Sequence, residues 1–263
     1  MSTMARIAGV LLDLSGVVFD GDGAIGQAAE SIRDLRAHGV PVRFVTNTTS
    51  VPRRVLREKL DGLGIAAADH DIFTPAIAAR ALVRQRTLSP HFLVHPALTE
   101  DLIEDSDGPP GRPPDAVVVG DAGRAFSFDS LNAAFRLVHE GAAFIALARN
   151  RTFRDGDGAP SLDAGPFVAA LEYATRREAL LVGKPSAAFY AAALAHLGTT
   201  AEETAMVGDD VESDVAGAME AGMAGLLVRT GKYEAGDETL IEPAPTATVA
   251  DQRRAVDWIL ERR

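Results

Sequence analysis

The feature of this chain that most limits its fold is a set of four short apolar runs, each closed by a polar residue or a glycine. Such runs are typical of parallel strands that are covered by helices on both faces. Segments with helical spacing lie between them, so the sequence predicts an α/β fold built on an open parallel sheet. The runs are Ile7 to Leu12, Val40 to Val45, Ala179 to Val182, and Thr204 to Val207.

Polar side chains follow each of these runs directly. In an open parallel sheet, the residues just past the carboxyl ends of the strands line the ligand crevice. We therefore predict that a carboxylate, hydroxyls, a lysine and an acidic cluster meet at one edge of one sheet, where they would suit phosphoryl chemistry on a metal. The polar stretches are Asp13-Leu14-Ser15, Thr46-Asn47-Thr48, Lys184-Pro185, and Gly208-Asp209-Asp210 with Asp214 beyond.

The alternation of strands and helices is less regular in the middle of the chain. From about Pro75 to Thr175 long irregular pieces interrupt it, and it becomes regular again towards the C-terminus. We predict a core that is split in sequence, with residues 1–76 as its first part and residues 177–263 as its second. Residues 77–176 are predicted to form a second domain inserted between them.

Composition argues against several classes of function. The net charge of −11, with no basic stripe, argues against a nucleic-acid-binding surface. The chain has no cysteine, which excludes a disulfide, a thiolate nucleophile and a zinc–thiolate site. No stretch approaches the roughly 18 apolar residues of a membrane span. We therefore expect a soluble cytoplasmic protein whose partner is a small molecule.

Asp13 is the candidate nucleophile. A carboxylate at the end of a strand can attack phosphorus and form an aspartyl-phosphate, which divides one difficult step into two easier ones. Taken alone, Asp13 is more readily explained as a turn residue before Ser15 and Gly16. The acidic cluster further along the chain favours the catalytic role.

That cluster consists of Asp209, Asp210 and Asp214, where a predicted strand meets a predicted helix. Asp210 and Asp214 are expected to share a helix face at i and i+4, where like charges repel. Capping of the helix N-terminus explains one or two acids at such a place, but not three. Carboxylate oxygens with few basic residues between them suit Mg²⁺. The sequence therefore predicts Mg²⁺ as the cofactor.

Candidate phosphate-binding groups follow two other runs. Backbone N–H groups at a helix start bind anions, so Thr46 and the amide of Asn47 are predicted to hold a phosphate oxygen, the alternative being an ordinary N-cap. Lys184 is one of only three lysines in a chain where arginine dominates. Its compact charge is predicted to neutralise both Asp13 and the transferring phosphoryl group, the alternative being a surface lysine.

A glycine pattern after the first predicted strand has two explanations. Residues 21–26 read Gly-Asp-Gly-Ala-Ile-Gly and match the G-x-G-x-x-G of dinucleotide-binding turns. However, these glycines do not follow the strand directly, and the second strand ends in Thr46-Asn47 without an acid to bind a ribose. We therefore predict a glycine-rich flap.

The four ordered motifs resemble those of the haloacid dehalogenase superfamily of phosphatases. They are Asp13-Leu14-Ser15-Gly16, Thr46-Asn47, Gly183-Lys184-Pro185, and Gly208-Asp209-Asp210 with Asp214. The insertion between the second and third motifs is similar to the larger cap of subclass IIA. The resemblance covers nearly the whole chain and implies a Rossmann-like parallel-sheet core with an inserted α/β cap domain of the subclass IIA kind.

The resemblance also implies roles for individual residues. Asp13 is implied as the nucleophile, and Mg²⁺ as bound by Asp13, the Ser15 carbonyl and Asp209, with Asp214 supporting the site. Thr46 and Lys184 are implied to contact the phosphate. A cap-mediated homodimer is suggested by the same analogy. Substrate specificity is expected in cap residues, namely Arg124, Arg149, Asn150 and Arg151.

Position 15 departs from the superfamily pattern. Phosphatases of this type usually carry a second Asp two residues after the nucleophile, as general acid for the leaving group, and this chain has Ser15. General acid catalysis supplies roughly 10² to 10⁴ in rate, and a hydroxyl near neutral pH cannot donate a proton as a carboxylic acid does. Catalysis would then depend on positioning and electrostatics.

Together these patterns predict a Mg²⁺-dependent phosphohydrolase that acts on a small phosphorylated compound through an aspartyl-phosphate. An inorganic pyrophosphatase or phosphoramidase is the nearest alternative. A phospho-acceptor signalling module combines similar residues around an Asp, but without an insertion of this size. A weakly active phosphate-binding regulatory protein is the third alternative.

Overall fold

The computed structural model describes residues 6–103, 112–154 and 159–263. The chain divides into two compact units. The second unit comprises Asn47–Arg53 and Thr74–Gly183, and the remainder of the chain forms the first. The second unit differs from the predicted 77–176 in three places, because its main segment begins at Thr74, ends at Gly183, and is joined by Asn47–Arg53.

The strands are short, and two of the four that precede the polar motifs, Gly9–Asp13 and Thr204–Gly208, are buried at every residue. In chain order they are β1 (Gly9–Asp13), β2 (Phe19–Asp20), β3 (Gly23–Ala24), β4 (Val42–Val45), β5 (Ile72–Phe73), β6 (Pro90–Leu93), β7 (Ala116–Val119), β8 (Ala143–Ala146), β9 (Thr152–Arg154), β10 (Pro160–Leu162), β11 (Leu180–Leu181), β12 (Thr204–Gly208), β13 (Ala224–Val228) and β14 (Ala247–Val249).

The helices alternate with these strands. They are α1 (Ala28–Ala37), α2 (Arg53–Gly62), α3 (Pro75–Gln85), α4 (Thr99–Leu102), α5 (Phe128–His139), α6 (Ala164–Thr175), α7 (Ala187–Leu197), α8 (Gly217–Glu220) and α9 (Gln252–Leu260). A π-helical segment, Val211–Ala216, precedes α8.

The first unit contains a six-stranded parallel sheet with the strand order β14-β13-β12-β1-β4-β5. β1 lies between β12 and β4, with Leu12 beside Val207 and Asp13 beside Val45. The strand order reverses between β1 and β12, so their carboxyl ends form a topological switch point, where open parallel sheets bind ligands. This sheet confirms the predicted parallel α/β fold.

The second unit contains a four-stranded parallel sheet with the order β11-β8-β7-β6. The strand that precedes Lys184 belongs to this sheet, since Leu180 pairs with Ile145. The prediction that all four polar stretches follow strands of one sheet is therefore wrong for Lys184. An apolar run indicates a strand, but it carries no information on which sheet the strand joins. The prediction that this strand is covered on both faces is also wrong, because Leu180 is exposed.

A hydrophobic core of its own supports the second unit. Buried side chains from the sheet, α5 and α6 pack together, among them Val119, Val138 and Leu171. α5 and α6 also contact each other. A core of this kind is what allows an inserted segment to fold as a compact unit.

Sequence spacing explains the helices of the first unit. The buried residues of α1 are Ala28, Ser31, Ile32 and Leu35, which follow the i, i+3, i+4, i+7 spacing of an amphipathic helix. α7 begins after Ser186, whose hydroxyl accepts a hydrogen bond from the Phe189 N–H at 3.2 Å. It ends at Gly198, which has a φ of +82° and closes the helix in the left-handed conformation.

The glycine pattern of residues 21–26 lies in and beside a small hairpin. β2 and β3 are antiparallel, with Phe19 beside Ala24, and Gly21 in the turn has a φ of +50°. This arrangement agrees with the predicted flap and not with a dinucleotide-binding turn, which would connect a strand to a helix.

Candidate active site

Asp13 ends the central strand β1, all five residues of which are buried. Its carboxylate is buried as well. Burial raises the pKa of Asp13, and the neighbouring ammonium of Lys184 opposes that shift. A carboxylate in this position is pre-oriented by the sheet and shielded from water, as a nucleophile requires.

Lys184 connects two of the acids. Its ammonium donates to Asp13 Oδ1 at 2.5 Å and to Asp214 Oδ1 at 2.6 Å, and all three groups are buried. Burial lowers the pKa of Lys184, but the charges of Asp13 and Asp214 outweigh it and hold the pKa above its ordinary value. Lys184 is therefore charged at neutral pH, and the alternative of a surface lysine is wrong.

The π-helical segment Val211–Ala216 carries Asp214 into this cluster. Asp210 lies at its N-cap, where its carboxylate accepts from the Ser213 N–H at 2.9 Å. The expectation that Asp210 and Asp214 share an α-helical face is therefore wrong, because Asp210 lies before the helical segment and the segment has a wider turn. Gly208 must be glycine, since a Cβ there would lie 2.2 Å from that of Asp214.

Asp209 lies directly after β12, between two glycine turns. Its Oδ2 accepts from the Lys232 N–H at 2.7 Å. A Cβ at Gly16 or Gly231 would lie 1.9 or 2.0 Å from the same oxygen, and both glycines have positive φ, of +83° and +62°. These two turns therefore approach the carboxylate more closely than any side chain would allow.

The two turns around Asp209 are joined to each other. The Thr230 hydroxyl donates to the Gly16 carbonyl at 2.5 Å, and the Lys232 ammonium lies 3.2 Å from Asp210 Oδ2. Burial raises the pKa of Asp210. Hydrogen bonds from Ser213 and the charge of Lys232 lower the pKa by more than burial raises it, so the net shift is downwards. Asp210 thus remains ionised as a structural anchor beside the cluster.

Asp13, Asp209 and Asp214 offer carboxylate oxygens that all lie within 4.8 Å of one another. Among the described residues, only the ammonium of Lys184 is buried with them. Burial raises the pKa of Asp209 to about 6, with Asp214 adding to the shift, and burial also raises the pKa of Asp214 to about 6 against the influence of Lys184. Three hard oxygen donors with an excess of negative charge fit a divalent cation such as Mg²⁺.

The other predicted phosphate ligands follow β4. Thr46 is buried at the end of the first segment of the first unit. Asn47 begins the short segment that belongs to the second unit, and its Oδ1 lies near the backbone of Gly183. Ser15 is exposed, in a tight turn closed by the hydrogen bond from Gly16 N–H to the Phe19 carbonyl at 2.8 Å. The roles of these three residues stay predictions.

The predicted specificity residues lie in the second unit. Arg124 is exposed, whereas the Arg149 guanidinium binds the Glu172 carboxylate and lies 3.1 Å from the Ala179 carbonyl. The carbonyls of Asn150 and Arg151 accept from the N–H groups of Gly165 and Asp163, at 3.0 and 3.2 Å. Arg149 therefore has a structural partner within its own unit, and a role in specificity stays a prediction for all four.

Sequence reasoning assigned no role to Gly16, Gly231, Lys232 or Tyr190, which all contribute to the site. Tyr190 is buried on α7, and its hydroxyl lies 2.7 Å from the Ser213 carbonyl and 3.0 Å from the Asp214 carbonyl. The scarcity of lysine was the only signal for Lys232. The contacts of the other three join segments that are distant in sequence, so local patterns do not reveal them.

Comparison with known families agrees with this geometry. A family described as haloacid dehalogenase-like hydrolase matches residues 10–105, and a second, described as HAD-hydrolase-like, matches residues 181–255. Haloacid dehalogenase-like hydrolase domain-containing protein 2 of Bos taurus is 45% identical over 263 residues, which cover 99% of each chain. Phospholysine phosphohistidine inorganic pyrophosphate phosphatase of Danio rerio is 40% identical over 266 residues, covering 99% of this chain and 97% of the relative.

Solved structures are similar over almost the full length. The 4-nitrophenylphosphatase of Thermotoga maritima superposes with a TM-score of 0.85 at 25% identity, covering 95% of this chain and 97% of that one. NagD from E. coli K-12 gives a TM-score of 0.83 at 26% identity, covering 94% and 98%. Within the described residues, no helix combines the length and the apolar character needed to cross a membrane.

Proposed function

Because this chain belongs to the haloacid dehalogenase-like hydrolase family and is a phosphatase of that family, we propose that it hydrolyses small phosphorylated compounds with Mg²⁺, through an aspartyl-phosphate at Asp13. The observation that carries the proposal is the buried arrangement in which Lys184 bonds to both Asp13 and Asp214. A charged lysine that orients a buried carboxylate at a topological switch point is suited to phosphoryl transfer.

The reaction has two displacements at phosphorus. In the first, an oxygen of Asp13 forms a bond to phosphorus, and the leaving-group oxygen departs with the electron pair of its own bond to phosphorus. In the second, a water oxygen attacks phosphorus, the bond to Asp13 breaks, and the carboxylate is restored. One proton of that water stays on the product phosphate, and the other goes to the leaving-group oxygen.

Each residue of the site has a proposed role in this scheme. Lys184 holds Asp13 in place and offsets negative charge on the transferring phosphoryl group, and Thr46 and Asn47 bind phosphate oxygens. Asp13, the Ser15 carbonyl and Asp209 would hold Mg²⁺, with Asp214 in support, and the ion would supply positive charge to the phosphoryl oxygens.

The second unit is proposed to act as a cap that excludes water and bulky substrates. Loops and domains that close over a phosphoryl site have this role in many enzymes. Limited proteolysis tests the proposal, because the joins near residues 74 and 183 should be cut preferentially in the free protein. Beryllofluoride with Mg²⁺, which mimics a phosphoryl group, should slow that cleavage. Cleavage that is unaffected by the mimic would count against a mobile cap.

Position 15 favours a second candidate substrate class, pyrophosphate and P–N compounds. A serine there cannot serve as a strong general acid, so leaving groups that depart without a proton from the enzyme should be preferred. A phosphate leaving group is stabilised as an anion, and a phosphoramidate can carry its own proton on nitrogen. The name of the Danio rerio relative includes both kinds of substrate.

A leaving-group series tests this preference. We expect log(kcat/KM) for phosphomonoesters to fall steeply with leaving-group pKa in the native protein, and less steeply in Ser15→Asp. Aryl phosphates and pyrophosphate should outrun alkyl phosphates. If the native protein cleaves alkyl and aryl esters equally well, another group supplies the proton.

Turnover on a panel of small phosphorylated compounds, with Mg²⁺ and with a chelator, tests the main proposal. We expect many turnovers per protein chain with Mg²⁺ and almost none with the chelator. One phosphoryl group taken up per chain without turnover would indicate a phospho-acceptor module. Binding of phosphate without either reaction would indicate a regulatory binding protein.

A further inference from the structure

We propose that Tyr190 is a positioning residue for the metal site, because its hydroxyl fixes the main chain of the turn that carries Asp214. This inference rests on the proposed function. Tyr190 is fully buried on α7, six residues after Lys184. Its hydroxyl lies 2.7 Å from the Ser213 carbonyl and 3.0 Å from the Asp214 carbonyl, so a single proton can be shared between them.

The geometry of the π-helical segment removes the usual helical donor of the Ser213 carbonyl. In a regular α-helix, the N–H of Gly217 would donate to the Ser213 carbonyl. Here the Gly217 N–H is directed to the carbonyls of Glu212 and Asp214. The hydroxyl of Tyr190 therefore donates to the Ser213 carbonyl in place of the Gly217 N–H. π-Helical turns of this kind occur frequently at functional sites.

Packing holds the tyrosine ring against the same turn. A Cβ at Gly217 would lie 2.9 Å from Cε2 of Tyr190 and 2.6 Å from Cβ of Pro185. The missing side chain at Gly217 thus lets the backbone of the turn rest on the start of α7. A ring fixed in this way cannot swing its hydroxyl away from the two carbonyls.

One short stretch of sequence therefore holds Asp214 at two points. The ammonium of Lys184 binds its carboxylate at 2.6 Å, and the hydroxyl of Tyr190 binds its main chain. Burial and the charge of Asp214 raise the pKa of Tyr190 well above its ordinary value, so the phenol keeps its proton. Mutation of a group that hydrogen-bonds to a metal-binding residue and orients it typically lowers metal affinity by about 10–100-fold.

Calorimetric Mg²⁺ titration tests this role independently of catalysis. Removing only the hydroxyl, in Tyr190→Phe, should weaken Mg²⁺ binding by about tenfold. Tyr173→Phe is the chemical control, because the side chain of Tyr173 is 90% exposed on α6. Val256→Ala, a buried position on α9, is the stability control. Both controls should bind Mg²⁺ within about twofold of the native protein.

The outcomes separate the inference from the proposed function. If Tyr190→Phe binds Mg²⁺ as tightly as Val256→Ala does, Tyr190 is only a packing residue and the inference is wrong. If the native protein itself binds no Mg²⁺, the proposed function fails first. Should Tyr190→Phe fold poorly, 4-aminophenylalanine at position 190 keeps a donor in the same place. It should restore both the fold and the Mg²⁺ affinity, and failure to restore the affinity would overturn the inference.

Discussion

Both units of this protein are built on parallel sheets, yet their strand ends carry very different polar groups. At the carboxyl edge of the six-stranded sheet, Asp13 and Asp209 lie with Asp214 and Lys184 in a buried cluster. At the corresponding edge of the four-stranded sheet, Asp121 follows β7 and accepts from the Gly123 N–H at 2.9 Å. There the carboxylate binds a backbone N–H two residues away in its own loop.

Other polar groups of the second unit have the same character. His95, just beyond β6, accepts from the Ala97 N–H at 3.2 Å, and Arg149 binds Glu172. The buried carboxylate of Asp101 accepts from the Arg53 N–H at 2.8 Å and from its guanidinium at 2.9 Å. Every one of these groups has a partner of opposite charge or a backbone donor close in space.

The difference shows that a parallel sheet edge gathers side chains but does not by itself make a catalytic site. In the first unit, acids outnumber the buried cation, and burial raises the pKa values of Asp13, Asp209 and Asp214. Among the described residues of the second unit, the buried carboxylates of Asp101 and Asp163 accept hydrogen bonds from Arg53 and from the Ala164 N–H. A cluster with unbalanced buried charge is therefore typical of a functional site, whereas buried polar groups that only stabilise the fold have hydrogen-bond partners.

The sharpest contrast should come from Asp13, the proposed nucleophile. Asp13→Asn is expected to lower kcat by about 10⁴-fold or more, because the amide cannot attack phosphorus. The free energy of unfolding should change by less than about 1 kcal/mol, because Lys184 keeps Asp214 as its charged partner and the amide still accepts a hydrogen bond. Urea unfolding and steady-state kinetics measure both, with Asp61→Asn on the exposed end of α2 as the control. Near-native turnover in Asp13→Asn would remove the basis of the comparison.

The buried lysine should matter for both stability and activity. Lys184→Met leaves Asp13 and Asp214 without their shared cation, which should cost about 3 kcal/mol of the free energy of unfolding. The cost should shrink when Asp214→Asn is added, because the unpaired charge is then gone. A double-mutant cycle by urea unfolding measures this coupling. A single variant as stable as the native protein would show that the cluster does not depend on its cation.

The matched acid of the second unit should behave in the opposite way. Asp101→Asn is expected to cost about 2 kcal/mol of stability, because it breaks a buried hydrogen-bonded pair with Arg53. Its kcat/KM should stay within about threefold of native at a temperature where the variant is folded. Glu178→Gln, an exposed position of the same unit, serves as the control. A large loss of kcat/KM in Asp101→Asn without loss of stability would break the division between the two units.

The smallest predicted effect concerns pH. The folded pKa of Asp209, about 6, is above the ordinary value of about 4, so the folded metal-free protein binds more protons than the unfolded chain between these values. Binding of this extra proton stabilises the folded metal-free protein at low pH, and the stabilisation is lost as the pH rises through about 6. Mg²⁺ needs ionised carboxylates, so the rise in Tm on adding Mg²⁺ should be larger near pH 7.5 than near pH 5.

Thermal unfolding at the two pH values, with and without Mg²⁺, checks this expectation. In Asp209→Asn, the rise in Tm on adding Mg²⁺ should be nearly the same at the two pH values. An equal rise in Tm at both pH values would mean that the carboxylates are not the groups that bind the ion.

Much of the site could be predicted from sequence because it lies at strand ends. The runs before Asp13, Thr46 and Asp209 are mostly apolar or β-branched and end in a polar residue or a glycine, which indicates both the strand and the edge at which its polar residues lie. Lys184 was placed correctly beside Asp13 for an incorrect reason, because its preceding strand joins the other sheet. A run of apolar residues indicates a strand, whereas the burial and the partners of that strand depend on the rest of the chain.

The parts that could not be predicted depend on exact backbone form or on distant contacts. The spacing of Asp210 and Asp214 has its usual meaning only in an α-helix, and the segment is π-helical. The two glycine turns around Asp209 join Gly16 to Gly231, more than two hundred residues apart in sequence. No local pattern in either turn indicates its partner.

The central claim is that the chemistry takes place on the carboxylate at the end of β1. Acid quenching during turnover, followed by borohydride, tests it directly, because borohydride reduces an aspartyl-phosphate to homoserine. Peptide mass spectrometry should then find homoserine at position 13, only when substrate and Mg²⁺ are both present, and never in Asp13→Asn. Product formation with reduction at another acid, or with none under any quench time, would contradict the account.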